Sequence, residues 1–168
     1  MRIFVAGSSG VIGIQLVPLL VADGHEVAAM TRSPEKIDAL RALGAEPVLC
    51  DAYDKDALVA AVGAFAPDAV LHLLTDLPDA EGDLAALGLA NVRVRREGTD
   101  NLLAAARAAH ATLAVGGVVL RYGRFYGPGT WYEDELPAPP RIRVDEAARR
   151  TAGALDAPSG IITVAGEL

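Results

Sequence analysis

Gly7-Ser8-Ser9-Gly10-Val11-Ile12-Gly13 sets three glycines at a spacing of three, directly after the apolar run Ile3 to Ala6 and at the opening of a helical pattern. In that context the spacing suits the pyrophosphate of a dinucleotide. Gly7 permits a tight turn, Gly10 lets the backbone approach the phosphates, and Gly13 lets the helix pack closely on the sheet. Free N–H groups at the helix start, aided by the helix dipole, favour phosphate charge. The candidate cofactor-binding residues here are Gly7, Ser9, Gly10, Val11, Ile12 and Gly13. The plain alternative is a structural glycine turn.

The end of the second apolar run bears on the choice of cofactor. An acidic residue there would bind a ribose 2′-hydroxyl. This chain has Met30-Thr31-Arg32-Ser33 instead. Arg32 could pair with a 2′-phosphate, with Thr31 and Ser33 donating beside it. The expected cofactor is therefore NADP, with NAD the alternative. Equally, Arg32 could simply be solvated at a strand end.

The elements that must position these residues follow one alternation as far as Ala109. Strands are expected at Ile3–Ala6, Glu26–Met30, Pro47–Cys50 and Asp68–Leu74. Helices are expected at 10–22, at 33–43 with Ser33 as N-cap and Gly44 as C-cap, at 55–64 capped by Asp54, and at 83–109 with a break near Gly88. Strands alternating with helices predict an α/β fold, a doubly wound parallel sheet of Rossmann type with helices on both faces. After Ala109 the rhythm fails. Thr112–Val115 and Val118–Phe125 read as two strands with only Gly116-Gly117 between them. That pair can turn an antiparallel hairpin but cannot carry a parallel crossover. Residues 127–143 read as loop, 144–155 as helix and 161–165 as a last short strand.

The chain has 168 residues, 52% of them hydrophobic, enough for one domain with a proper core. A net charge of −7 argues against a nucleic-acid partner. No apolar run is long enough for a membrane span, and the N-terminal residues do not read as a secretory signal. A single cysteine, Cys50, is expected as a buried small hydrophobe in a reduced, cytoplasmic setting. No metal site is expected. Arg93, Arg95 and Arg96, like Arg149 and Arg150, read as solvated helix faces.

Several stretches in order resemble the extended short-chain dehydrogenase/reductases, the NAD-dependent epimerase/dehydratase family. They are the glycine loop, Cys50-Asp51, Val70-Leu71-His72-Leu73-Leu74, Glu97-Gly98-Thr99-Asp100-Asn101 through Arg107, Leu120-Arg121-Tyr122-Gly123-Arg124-Phe125-Tyr126-Gly127-Pro128-Gly129, and Ile142 to Arg149. The resemblance implies that Asp51 and Ala52 lie beside the adenine, the Asp51 carboxylate accepting from its amino group. It implies that Leu73, Leu74 and Thr75 line the path to the nicotinamide ribose. Tyr126-Gly127-Pro128 would border the nicotinamide and substrate pocket, with Arg121 and Tyr126 as substrate-binding residues. His72 is read as a packed, hydrogen-bonded strand histidine rather than a base. The whole chain, 1–168, would be a single NAD(P)-binding domain, with 126–168 a much reduced remnant of the substrate-binding region.

The family's chemistry needs a Tyr-x-x-x-Lys pair on one helix face, the phenol passing a proton as hydride moves. Here Tyr53, Tyr122, Tyr126 and Tyr132 are followed four residues later by Ala57, Tyr126, Thr130 and Leu136. The short Val115–Val118 interval falls where the family places its catalytic helix, so the catalytic residues are unknown. The expectation is an NAD(P)-dependent epimerase/dehydratase-type oxidoreductase acting on a nucleotide sugar or related hydroxy or keto compound. Its partner would be a small-molecule substrate, with room for a homodimer. The alternative is a non-catalytic NADP-binding sensor or regulator of the same fold.

Overall fold

A computed structural model describes residues 1–75, 84–111, 118–158 and 160–166. Four strands, β1 (Arg2–Ala6), β2 (Glu26–Thr31), β3 (Glu46–Leu49) and β4 (Ala69–His72), form one parallel sheet in the order β3-β2-β1-β4. Register runs from Ile3 against Val27 on one side of β1 and against Ala69 on the other. Parallel neighbours require crossovers. These are supplied by α1 (Gly13–Ala22), by α2 (Ile37–Ala42) behind a 3₁₀ turn at Pro34–Lys36, and by α3 (Lys55–Phe65).

The period-two alternation of β1 feeds two cores. Phe4 and Ala6 point to one face, where they meet Leu58, Val62 and Phe65 of α3 and Leu102, Ala105 and Ala106 of α5 (Thr99–Ala108). Ile3 and Val5 point to the other, against Leu16, Val17 and Leu20 of α1 and Leu40 of α2. Both faces are thus covered by helices, as the strand–helix alternation predicts.

The local signals account for most element ends. Asp54 caps α3 by accepting from the Ala57 N–H at 3.0 Å. Gly44 follows α2 at φ +85°, the left-handed position favoured by glycine. Ser33 does sit at the N-cap ahead of Pro34, but its hydroxyl makes no capping bond. Its N–H instead donates to the Thr31 hydroxyl at 3.2 Å.

Three sequence expectations are corrected. The helix α4 (Leu84–Arg93) runs through Gly88 without a break. Its irregularity lies further on, where Val94–Gly98 forms a π segment before α5. The single strand expected over 118–125 is two strands, β5 (Val118–Tyr122) and β6 (Arg124–Tyr126), which join different partners. Gly123 makes the break. A Cβ there would lie 2.7 Å from the Pro140 carbonyl oxygen. β5 pairs in parallel with β8 (Gly160–Val164), and β6 with β7 (Arg141–Arg143), a strand inside the expected loop. The expected strand at Thr112–Val115 and the Gly116-Gly117 turn lie outside the described residues.

The last helix, α6 (Val144–Gly153), joins these C-terminal strands to the main sheet. Ala148 packs into the α1 face, while Ala147 turns toward Ile142 and Val164. The Tyr122 hydroxyl donates to Thr151 at 2.5 Å, and Thr151 donates in turn to the Ala147 carbonyl at 2.7 Å.

Candidate dinucleotide site

Because the sheet is parallel, β1 to β4 end on the same edge. The strand order reverses there between β1 and β4, and ligands of open α/β sheets bind at such a crevice. The glycine loop leaves β1 at this point. Gly7 has φ +92°, and a Cβ on it would lie 2.9 Å from the Leu73 carbonyl carbon and oxygen. Only glycine fits this conformation and this approach to the end of β4. Gly13 is as tightly constrained, though by the loop itself rather than by the sheet. Its Cβ would stand 2.4 Å from the Gly7 oxygen and 2.5 Å from that of Ser8. Gly10 is exposed, and a Cβ there meets only the Gly7 oxygen, at 3.3 Å.

The loop is pinned from below. The buried Ser8 hydroxyl donates to the Val5 carbonyl at 2.7 Å, and its N–H donates to Met30. Ser9 shares a hydrogen bond with Thr31 at 2.9 Å. Thr31 is itself 3% exposed, so its hydroxyl ties the glycine loop to the end of β2. Arg32 follows directly and is exposed. Within the helix start, Ile14 and Leu16 donate to Gly10 and Ile12. Among the described residues no acceptor takes the N–H of Val11 or Ile12. A cradle that a Cβ would fill, with two donors at a helix start, fits a dinucleotide pyrophosphate.

Beside it, the Asp51 carboxylate accepts from the Tyr53 N–H at 2.9 Å and is otherwise exposed, while Ala52 is buried. Just past β4, Leu74 donates its N–H to Nδ1 of His72 at 3.3 Å, so Nε2 carries the proton it shares with Thr99 at 2.8 Å. Burial holds the imidazole below its ordinary value of 6.5. His72 is packed and hydrogen-bonded, as read from the sequence. Leu73 and Leu74 are half-buried and Thr75 exposed. Cys50 is 7% exposed, and its thiol is pushed up by burial and by Asp54 and Asp51.

The other candidates stand elsewhere. Arg121 on β5 is exposed and Tyr126 on β6 is half-buried. Both belong to the C-terminal strand pairs and not to the sheet whose ends carry the glycine loop. Sequence reasoning passed over Tyr53, Arg93 and Asn101. Arg93 is exposed, as read from the sequence, and its guanidinium also lies 3.9 Å above the Tyr53 ring and is held by both oxygens of Glu97. Asn101 donates to the Ala52 carbonyl at 3.0 Å. An amide on a helix face with Leu102, Ala105 and Ala106 was the available signal.

Fold and site together define a dinucleotide-binding domain of the doubly wound class. The chain belongs to the NAD(P)H-binding family, whose model matches residues 7–133. Among curated relatives, a 3-diazoavenalumate denitrifying reductase from a Streptomyces species is 34% identical over 183 aligned positions, covering 79% of this chain and 59% of that protein. Those aligned positions outnumber the residues this chain contributes, so the reductase holds internal residues that this chain lacks. A 4-hydroxy-2-methyl-3-oxo-4-farnesyl-3,4-dihydroquinoline-1-oxide ketoreductase from Stigmatella aurantiaca is 38% identical over 107 positions, covering 64% of this chain and 30% of that one. This chain therefore spans less than two thirds of either relative. Among solved structures, the UDP-glucose 4-epimerase of Thermus thermophilus in complex with NAD has a TM-score of 0.79 at 21% identity, covering 98% of this chain and 78% of that one. The UDP-glucose 4-epimerase of Thermotoga maritima with UDP-glucose has a TM-score of 0.77 at 14% identity, with 98% and 77% covered. At such identities these two establish the fold. Among the described residues no helix is long and apolar enough to cross a membrane.

Proposed function

We propose that this chain is the cofactor-holding part of an NAD(P)-dependent oxidoreductase of the epimerase/dehydratase type, working on a nucleotide sugar or a related hydroxy or keto compound. The observation that carries the reading is the glycine loop at the β1–β4 crevice, with its two unspent donors at Val11 and Ile12. The names of the relatives, a reductase and a ketoreductase, support redox chemistry on small molecules.

When bound, the cofactor supplies or accepts a hydride at its nicotinamide. This chain's own part is to hold it. The Gly7–Gly13 loop takes the pyrophosphate, and Asp51 and Ala52 border the adenine. Arg32, with Thr31 beside it, favours a 2′-phosphate and hence NADP over NAD. Leu73, Leu74 and Thr75 line the approach to the nicotinamide ribose. Arg121 and Tyr126 belong to the substrate end, with Tyr126 opening a reduced region that spans 126–168 of one domain.

A second reading, a non-catalytic NADP sensor, is favoured by one observation. No tyrosine in the sequence has a lysine four residues on. Two of the four are also engaged elsewhere, Tyr53 beneath Arg93 and Tyr122 on Thr151.

Fluorescence titration with NADPH tests the shared part. Saturable binding is expected in the wild type and none in Gly10→Asp, whose carboxylate repels the phosphates while the exposed position spares the fold. Wild-type affinity in that variant would refute the site. Incubating the NADPH complex with a panel of keto compounds separates the two readings. Cofactor oxidation supports the enzyme, and stoichiometric binding without turnover supports the sensor.

A further inference from the structure

The π segment Val94–Gly98 interrupts an otherwise continuous helix beside the crevice, and the dinucleotide-site assignment gives no reason for it. Its neighbours on the helix are the residues that touch the loop after β3. Arg93 covers the Tyr53 ring at 3.9 Å, and the N–H of Tyr53 is bonded to Asp51. Gly98 brings the helix against this loop, since a Cβ there would stand 3.8 Å from the Ala52 Cβ and 3.9 Å from Leu74. Asn101 holds the Ala52 carbonyl at 3.0 Å. Three contacts on one helix thus converge on Asp51-Ala52-Tyr53.

The π turn explains how they can. At 3.6 residues per turn, positions 93 and 101 diverge by about 80° around an α-helix. A π turn takes up an extra residue and brings them back toward one line. π segments are frequent at functional sites for this kind of re-aiming.

We infer that Asn101 and Arg93, aligned by the π segment, are positioning residues that hold the Asp51–Tyr53 loop in the shape that receives the adenine half of the dinucleotide. The inference rests on the proposed placement of the adenine at Asp51 and Ala52. Neither residue touches the reacting end. Asn101 fixes the Ala52 peptide, and Arg93 clamps Tyr53, whose N–H orients the Asp51 carboxylate. Glu97 holds the guanidinium over the ring through 2.7 and 3.1 Å bonds.

Calorimetric titration with ADP and with inorganic pyrophosphate tests this. ADP reaches both the glycine loop and the Asp51 loop, whereas pyrophosphate meets only the glycine loop. Asn101→Asp keeps the side-chain size but removes the donor, and ADP binding is expected to weaken by about three- to tenfold. Arg93→Leu is expected to weaken it about two- to fivefold. Pyrophosphate binding should stay at the wild-type value in both. Leu102→Val, buried in the next position of the same helix, lowers stability while keeping both clamp side chains and should leave ADP binding unchanged. Equal loss of ADP and pyrophosphate, unchanged ADP binding in both clamp variants, or an equal loss in Leu102→Val would overturn the proposal. A wild-type protein that binds dinucleotide but gains nothing from the adenine would place the adenine elsewhere and end it too. A wild-type protein that binds no dinucleotide would end the site reading itself.

Discussion

The three glycines of the loop face different demands, and this governs what a substitution at each would reveal. Gly7 and Gly13 are required by the fold, one by a left-handed backbone against β4 and both by approaches below 3.0 Å. Gly10 is the position at which a side chain would disturb a ligand more than the protein. It is therefore the informative one for binding. Arg32 is next. Arg32→Ala is expected to weaken NADPH more than NADH, by about fivefold or more, because a guanidinium–phosphate pair is charge-assisted. Equal losses in parallel titrations would remove the NADP preference. His72 adds a pH dependence. Its imidazole is buried neutral, so below about 6.5 the unfolded chain binds more protons than the folded one. Stability is thus fully present above that value and falls as pH drops through it toward the depressed folded value. Denaturant midpoints taken on both sides of pH 6.5 should show this slope in the wild type, and a flatter one in His72→Gln.

At the scale of elements, Tyr122 has a structural assignment that can be checked. It bonds Thr151 and links β5 to α6, and burial pushes its phenol up. Tyr122→Phe should cost about 1 kcal/mol of stability, the net worth of one hydrogen bond, and leave NADPH affinity unchanged. Loss of binding without loss of stability would mean that the phenol serves the site. The elements differ in how far the sequence revealed them. The glycine loop and the first three strand–helix units were legible because each carries local signals: the apolar run Ile3–Ala6, the Asp54 cap, Gly44 after α2. The π segment was not, since a π turn leaves no residue pattern that separates it from α-helix across Val94-Arg95-Arg96-Glu97. The split of 118–126 into two strands was hidden for another reason. It depends on Pro140 passing Gly123, a contact made by residues distant in the chain. Asn101 was missed likewise, because its partner, the Ala52 carbonyl, lies 49 residues away.

For the whole molecule, one binding event at the proposed site would draw on four strand ends, so it should stabilise the folded chain as a unit. At a dinucleotide concentration one hundred times its dissociation constant, linkage supplies about 2.7 kcal/mol. For a chain of this size that raises Tm by about 5 to 10 °C. A thermal scan with NADPH checks it, and a shift that does not grow with ligand concentration would contradict specific binding. The two-core arrangement around β1 also bears on how the protein is made. Among the described residues, nearly every one lining both cores precedes position 112, and Ala148 of α6 is the one fully buried late arrival on the α1 face. A chain leaving the ribosome can therefore close its four-stranded sheet, glycine loop included, while its C-terminal strands are still being synthesised. Dinucleotide in the surrounding solution would then meet a formed cradle before translation ends, and α6 would dock on its α1 face only afterwards.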